Sequence, residues 1–548
     1  MMMKKIYIDT KRPSPFGDMT YDINQVLTKE RENIEIIFEQ AIYLFESTYA
    51  YEQYTYVTNN DHGLKKMAFP ILDGQNVTID GQGATFVFSG RILPFFAKNI
   101  ENLTIKNITI DVDRPYYTQG IIQESSLEHV VITVDKERYP YMIDKGNLVF
   151  KGKHYSSDFV HEFIEFEAEE KKPIYGCEDF FVDDRVRAEE LEDGRLKIYH
   201  TFHRKPMVGK VLVIKHEKRL IPAIVCDHCK QVMLENVTIR QAGTMGFVAQ
   251  YCEDVYLNKV IVATDEDSER VVSTNTDATH FVGCKGTVRV ENSLFESQLD
   301  DAINVHGNYL IMERQVSDNQ VLAKIGHYQQ QGIFGLDEQT TIQIVDVETM
   351  LPVAQTHLQA KKIINREYVL LTFEDVLDLD AGKSYCIEDV ERYPEVIFRN
   401  NTVWKNRARG LLLTSRQKIL VEDNTIISES AAIKISGDTN LWYEAGPTSI
   451  VKIRRNTIKS VNNNPIWGTG LFDIDPEMSR HIQEKFYHKH IVIADNAIDP
   501  GERPVVYGQS IAHLEFVNNK FDVEVQSEEL KLNHCGQVMI NKVPFIVG

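Results

Sequence analysis

The sequence predicts an all-β chain: a right-handed parallel β-helix, or solenoid, carrying two small inserted antiparallel β modules of barrel-like kind. Three observations lead there. A short alternating motif recurs along the chain, several copies lie 23 residues apart, and no long helical period separates them. The motif reads apolar, any, apolar, any, Asn or Asp, any, any, apolar. VMLENVTI from Val232, VIFRNNTV from Val396, ILVEDNTI from Ile419, VKIRRNTI from Val451, IVIADNAI from Ile491 and LEFVNNKF from Leu514 follow it. TVRVENSLF follows with Val288 in register, and LTIKNITI from Leu103 and VYLNKVIV from Val255 are looser copies. Val232 to Val255, Val396 to Ile419 and Ile491 to Leu514 are each 23 residues, and steps of 33, 32 and 40 residues read as the same coil with loops added. Alternation makes each copy a strand with one buried face. The Asn suits a turn, where its amide satisfies backbone groups or its backbone turns left-handed. Such coils stack about 4.8 Å apart.

The elements follow in order. Residues 1–60 form an N-terminal cap and first coil, with Asp22–Gln40 as a helix covering the open end of the sheet. Residues 61–114 begin the β-helix. Residues 115–220 break the period with irregular strands (NLVFKGKHY, FIEFEAEE, GRLKIYH, KVLVIKH) and form the first inserted module. Residues 221–308 are the central coils. Residues 309–393 break the period again (YLIMERQ, TTIQIVDV, REYVLLTFEDV) as the second module, and 394–548 complete the β-helix.

The 548-residue chain has 60 Lys+Arg against 80 Asp+Glu, a net charge of −20. That balance argues against a nucleic-acid partner, which would need a basic face. No run approaches the ~18–20 consecutive apolar residues of a membrane span, so no membrane partner is expected. The opening MMMKKIYIDTKRPSPFGD lacks the apolar core of a secretory signal, and a cytoplasmic location is expected. Seven Cys make no disulfide framework. Cys226 and Cys229 have no second pair to complete a zinc site, and Cys229 to Cys252 is again 23 residues, so these are expected as thiols stacked inside the solenoid. No metal and no cofactor are expected.

The chemistry is expected at Asp277 and at the pair Asp300 and Asp301. Asp277 to Asp300 is 23 residues, which places them at equivalent points of neighbouring coils. In a regular strand Asp300 and Asp301 would face opposite ways, so their convergence requires a corner or bulge. Clustered carboxylates raise the proton affinity of at least one member, giving an acid beside bases, as glycosidic-bond cleavage requires. His280, Asn304 and His306 flank them. A calcium site would want six to eight oxygen ligands, and further carboxylates are not apparent here.

Asn275-Thr276-Asp277 followed by Asp300-Asp301 resembles the motif pair of the polygalacturonases, glycoside hydrolase family 28. A longer match, from Tyr21 to Asp522, is to the α-1,3-galactosidases of glycoside hydrolase family 110. It rests on YVTNNDHGLKKMAFPILDGQNVTIDGQG, NTDATHFVGCKG, VENSLFESQLDDAINVHG, RGLLLTSRQKILVEDNTI and SGDTNLWYEAGP. The resemblance implies an inverting exo-hydrolase that removes terminal α-1,3-linked galactose from blood-group-B-type or linear glycans. Asp277, Asp300 and Asp301 match the family's acidic cluster. By analogy Asp301 is the general acid, with Asp277 and Asp300 on the water-activating side. One departure is Gly437-Asp438, where the family often has two Asp. Substrate contacts are expected from His280, His306, Arg409, Asp438, Trp442 and Glu444, with Arg407 a further basic residue beside them. His327 and Gln329 would join if their module folds back over the site. The partner is then a glycan with terminal α-galactose, and a homodimer is a further expectation. The competing readings are a galactan- or polygalacturonate-type hydrolase and a non-catalytic glycan-binding β-helix. A uronate would need a basic subsite, for which Lys434 is the visible candidate.

Overall fold

The computed structural model describes residues 3–9, 17–174, 179–217, 219–461, 467–521 and 530–541, and the backbone of 543–545. Met1, Met2 and residues 10–16 of the opening segment, and Asp522 at the end of the family match, lie outside them. One residue from each coil lines up in a continuous parallel ladder. Ile34 pairs with Val77, Val77 with Leu103, Leu103 with Val232, Val232 with Val255 and Val255 with Val288. Val288 pairs with Val396, then Ile419, Val451, Ile491, Leu514 and Val538 follow. Every copy of the motif is thus one rung of a parallel β-helix. Each ladder residue is at most 2% exposed, and burying such an aliphatic side chain stabilises the fold by about 1.5–3 kcal/mol.

The turn after each rung divides two tasks between adjacent residues. The fifth motif position is left-handed, as at Asn236, Asn292, Asn400, Asp423, Arg455, Asp495 and Asn518. The sixth builds an amide ladder in the C-terminal coils. Asn401, Asn424, Asn456 and Asn496 each donate a backbone N–H to the side-chain oxygen of the next Asn, ending on Asn519, at 2.9–3.0 Å. Cys229, Cys252 and Cys284 occupy equivalent positions on three coils and are buried free thiols.

The N-terminal cap is shorter than the expected Asp22–Gln40 helix. The helix is Thr20–Lys29, and Glu32–Phe38 is a strand that forms a rung against Val77. Ile34, Ile36 and Phe38 alternate inward, and a period-2 run beside an open sheet edge gains more from pairing than from continuing a helix.

Strands from Thr118–Ser125 to Val211–Lys215 form a separate 10-stranded antiparallel sheet around its own core, with Ile132, Phe163 and Leu212 fully buried. In the second insertion, Ile303–Ser317 leaves the coil and pairs antiparallel with Gln320–Ile325 and Tyr385–Asp389. Its core includes Val321, Ile344 and Leu371. Among the described residues no helix is long and apolar enough to cross a membrane.

Candidate active site

Parallel pairing of Thr279 with Ile303, and of Ala278 N–H with the Asp301 carbonyl at 2.8 Å, fixes the acid cluster. The coil step on this face is therefore 24 residues, not 23. Asp301, rather than Asp300, is the coil equivalent of Asp277. The additional residue is absorbed in strand Lys285–Glu291, where pairing with the preceding coil slips by one between Glu253↔Lys285 and Val255↔Val288. The corner between Leu294–Glu296 and Ile303–Ser317 keeps the length it has in the following coil, with Ser297 left-handed and buried. That corner lets Asp300 and Asp301 converge. One oxygen from each of Asp277, Asp300 and Asp301 lies within 4.8 Å of the others.

The three carboxylates line a cleft of about 310 Å³, together with Arg409, Asp438, Trp442 and Glu444. Asp301 is 1% exposed, and Arg409 holds both of its oxygens, Nε to Oδ1 and one terminal nitrogen to Oδ2, each at 2.8 Å. Asp300 is more open. Its contacts are longer, 3.5 Å to Arg409 and 3.6 Å to Arg219. Burial, and then the charge of Asp300, pushes Asp277 well above the usual carboxylate range. Burial likewise pushes Asp301 up, against the opposing pull of Arg409. The spacing is one a divalent cation could bridge, but here the two guanidiniums supply the countercharge.

His280 and His306 do not reach the cleft, which corrects their expected role as substrate contacts. Both are buried behind Asp277. His280 Nδ1 meets Asp277 Oδ2 at 2.8 Å, the two Nε2 atoms meet at 3.1 Å, and His306 Nδ1 meets the Gly307 carbonyl at 2.7 Å. Burial lowers the pKa of His280 to about 4 and also lowers that of His306, so both rings are neutral near pH 7. The Gly307 carbonyl can only accept, so His306 carries its proton on Nδ1 and presents a bare Nε2. His280 must then donate from Nε2, and its bare Nδ1 takes a proton held on Asp277. The hydrogen bonds and the raised proton affinity of Asp277 agree.

Asp438 lines the cleft, as expected of a substrate contact, and also holds a turn. Its oxygens accept the backbone N–H groups of Leu441, Trp442 and Glu444 at 2.8–2.9 Å, so it caps the turn that presents Trp442. A Cβ on Gly437 would fall 2.4 Å from the Tyr487 hydroxyl, which explains why a second Asp has no room there. Glu444 accepts from Asn59 Nδ2 at 2.9 Å. Its burial opposes ionisation, but His306 and His280, which gain charge as pH falls into the carboxylate range, and the hydrogen bond from Asn59 hold it below its usual value. Arg407 does not touch the acids. It pairs with Asp179 and Glu162 of the first module and tethers that module to the Leu299 carbonyl at 3.1 Å. Lys434 pairs with Asp473 at 3.2 Å.

Arg219, Asn59 and Trp467 also line the cleft and carry no periodic signal in the sequence. Arg219 follows the first module, Asn59 sits at a left-handed turn, and Trp467 stacks near Arg407 and Arg409 at 5.2 and 5.7 Å. His327 and Gln329 do fold back: Gln329 Nε2 donates to Asp61 at 2.8 Å, and the His327 ring lies 4.1 Å from Trp442.

Residues 209–349 match the profile of glycosyl hydrolases family 28, and residues 118–212 and 320–384 match GLAA-B β-barrel domains I and II. A β-helix with three convergent carboxylates in a cleft, within that match, defines a glycoside hydrolase. "Alpha-1,3-galactosidase A" of Shewanella woodyi is 30% identical over 515 residues, spanning 93% of this chain and 84% of its own. "Alpha-1,3-galactosidase B" of Phocaeicola vulgatus is 32% identical over 517 residues, spanning 89% and 84%. The chain belongs to this α-1,3-galactosidase family and is a glycoside hydrolase acting on α-galactosides. Among solved structures, the family 28 exopolygalacturonase of Yersinia enterocolitica aligns at 10% identity and a TM-score of 0.40, covering 99% of this chain and 79% of its own.

Proposed function

We propose that the protein is an exo-acting, inverting α-1,3-galactosidase that releases terminal galactose from blood-group-B-type or linear α-galactose glycans. The observation that carries this reading is how the carboxylates group. Asp277 and Asp301 stand side by side on neighbouring coils, and Asp300 opens to the cleft. With both oxygens on Arg409, Asp301 is held as the ionised member of the cluster, with no proton to give to the departing oxygen. The general-acid role therefore moves from Asp301 to Asp300, with Asp277 within 4.8 Å as its proton source in a cluster that titrates as a unit. Asp300 protonates the departing oxygen. Asp301 and the ionised Asp277 orient a water and take its proton as it attacks the anomeric carbon. His280 occupies Asp277 Oδ2, which leaves Oδ1 for the water.

The oxygens lie closer together than the ~6.5–9.5 Å carboxyl separation usual for inverting pairs. What supports inversion is that Arg409 occupies both oxygens of Asp301 and His280 one oxygen of Asp277, which leaves the pair a single open oxygen, Asp277 Oδ1, suited to holding a water. A neutral sugar is favoured over a uronate by the lining. Asp277, Asp300, Asp301, Asp438, Glu444 and Glu477 face Arg219, Arg409 and Lys434, each of which already has an acidic neighbour. A sugar carboxylate would meet net negative charge.

Proton NMR of a reaction with Gal-α-1,3-Gal and with the fucosylated B trisaccharide tests the proposal. β-Galactose is expected first. α-Galactose first would refute inversion, and galacturonic acid from pectic substrates with no galactose from either saccharide would overturn the substrate reading.

A further inference from the structure

A second cleft, of about 460 Å³, opens on the far side of Arg219 and Trp442, the two side chains it shares with the first. Both inserted modules wall it. Phe159, His161 and Asp183 come from the first, and His327 and Tyr328 from the second. The acid chemistry uses none of these five residues.

The wall from the second module is a docked turn. Gln329 and Gln330 are buried; Gln329 donates to Asp61 and Gln330 to the Trp442 carbonyl, each at 2.8 Å. Gly326 and Gly332 let this backbone lie against Tyr443 and Tyr56, where a Cβ would fall 2.2 and 2.4 Å from the rings. The pinned turn nevertheless leaves Tyr328 58% exposed at the mouth of the cleft. A ridge of planar groups runs from there to the acids. The Tyr328 and His327 rings are 4.7 Å apart, His327 and Trp442 4.1 Å, and the Arg219 guanidinium lies 5.1 Å over Trp442. Burial lowers the His327 pKa to about 4, so that ring is uncharged near neutrality.

The charged wall residues are compensated within the protein. Lys215 pairs with Glu162 at 2.9 Å, Glu217 with Arg91 at 2.8 Å, and His161 with Asp183. Asp61, the remaining wall carboxylate, accepts a hydrogen bond from Gln329, so the cleft offers aromatic faces and polar groups with one acidic acceptor among them. Those are the features that hold a neutral polyhydroxylated ligand, whose C–H faces pack on rings. Its volume lies within the usual range for small-molecule sites and exceeds that of the acid cleft.

We propose that this second cleft binds the leaving saccharide, a neutral oligosaccharide portion of at least two sugar units, with Tyr328 and Trp442 as stacking surfaces. The inference rests on the α-galactosidase reading of the first cleft. Tyr328 is then a specificity-determining residue, and the inserted modules select substrates by what lies beyond the cleaved bond.

The test compares kcat/KM on p-nitrophenyl α-galactoside, Gal-α-1,3-Gal and the fucosylated trisaccharide for the unmutated full chain, Tyr328→Ala and Tyr328→Phe. The unmutated enzyme is expected to prefer the trisaccharide. Loss of one aromatic contact should lower kcat/KM on the trisaccharide by about three- to tenfold in Tyr328→Ala, mainly through KM. The aryl galactoside should be unaffected, and Tyr328→Phe should keep the trisaccharide preference. Equal effects on all three substrates, or none, would overturn the inference while leaving the α-galactosidase reading intact. No hydrolysis of any substrate by the unmutated enzyme would remove that reading and the inference with it.

Discussion

Replacing Arg409 by methionine removes the group that holds both oxygens of Asp301, while a side chain of similar reach stays beside Trp467. Asp301 is buried, so its carboxylate would be left without a partner in a site that also contains Asp277 and Asp300. Breaking a buried ion pair by removing one partner costs about 3–5 kcal/mol. Arg409 is itself 18% exposed, so the lower end applies, about 3 kcal/mol. Part of that cost is relieved when Asp301 takes up a proton, and at about 1.4 kcal/mol per decade the ionised form becomes on the order of 10²-fold scarcer at pH values below the raised pKa, which lowers kcat/KM by that factor there. The pH sign follows from the same pair. Asp301 must be ionised to act on water, so activity is present above its pKa and lost as pH falls through it. Arg409 opposes the upward push of burial, so its removal moves the acid limb to higher pH, by about two units for 3 kcal/mol. The assay is a pH profile of kcat/KM on Gal-α-1,3-Gal, with a thermal melt to confirm folding. The double variant Arg409→Met with Asp301→Asn should be no slower than Asp301→Asn alone, because both act through one pair. A folded Arg409→Met enzyme within fivefold of the unmutated rate, with its acid limb unmoved, would refute the reasoning.

Two other predictions concern stability. Asp277 has a folded pKa raised well above its unfolded value of about 3.9, so its contribution is fully present below that pH and lost as pH rises through the folded pKa. Asp277→Asn should therefore abolish turnover yet raise Tm by a few degrees at pH 7.5 and leave it unchanged near pH 4, as calorimetry at both pH values would show. Arg407→Met should destabilise the fold by about 3–5 kcal/mol, because Glu162 and Asp179 lose a buried partner. Urea titration would measure it, and a change below about 1 kcal/mol would mean the first module is held by other contacts.

The coil register was legible because stacking is translational. A rung needs only inward apolar residues at period 2 and a turn at a fixed distance, so Val232, Val396 and Ile491 announce themselves locally. The turn chemistry was legible in outline, although its division between a left-handed fifth residue and a laddered sixth was not. The N-terminal helix was overextended because the run through Ile34, Ile36 and Phe38 is too short to separate the two periods until a sheet edge offers it a partner.

By itself, then, the sequence determined the β-helix, the two interruptions and the three aspartates, since each is a pattern within one or two coils. The tertiary structure decided the rest of the site. It set the 24-residue step that pairs Asp277 with Asp301, set His280 and His306 behind the acid, and brought Arg219 into the lining. It also folded the second module back until Tyr328 flanked Trp442. The physical reason is separation along the chain: Asn59 meets Glu444 across 385 residues and Gln329 meets Asp61 across 268. Contacts of that span leave no period to read and form only when the coils and both modules have packed.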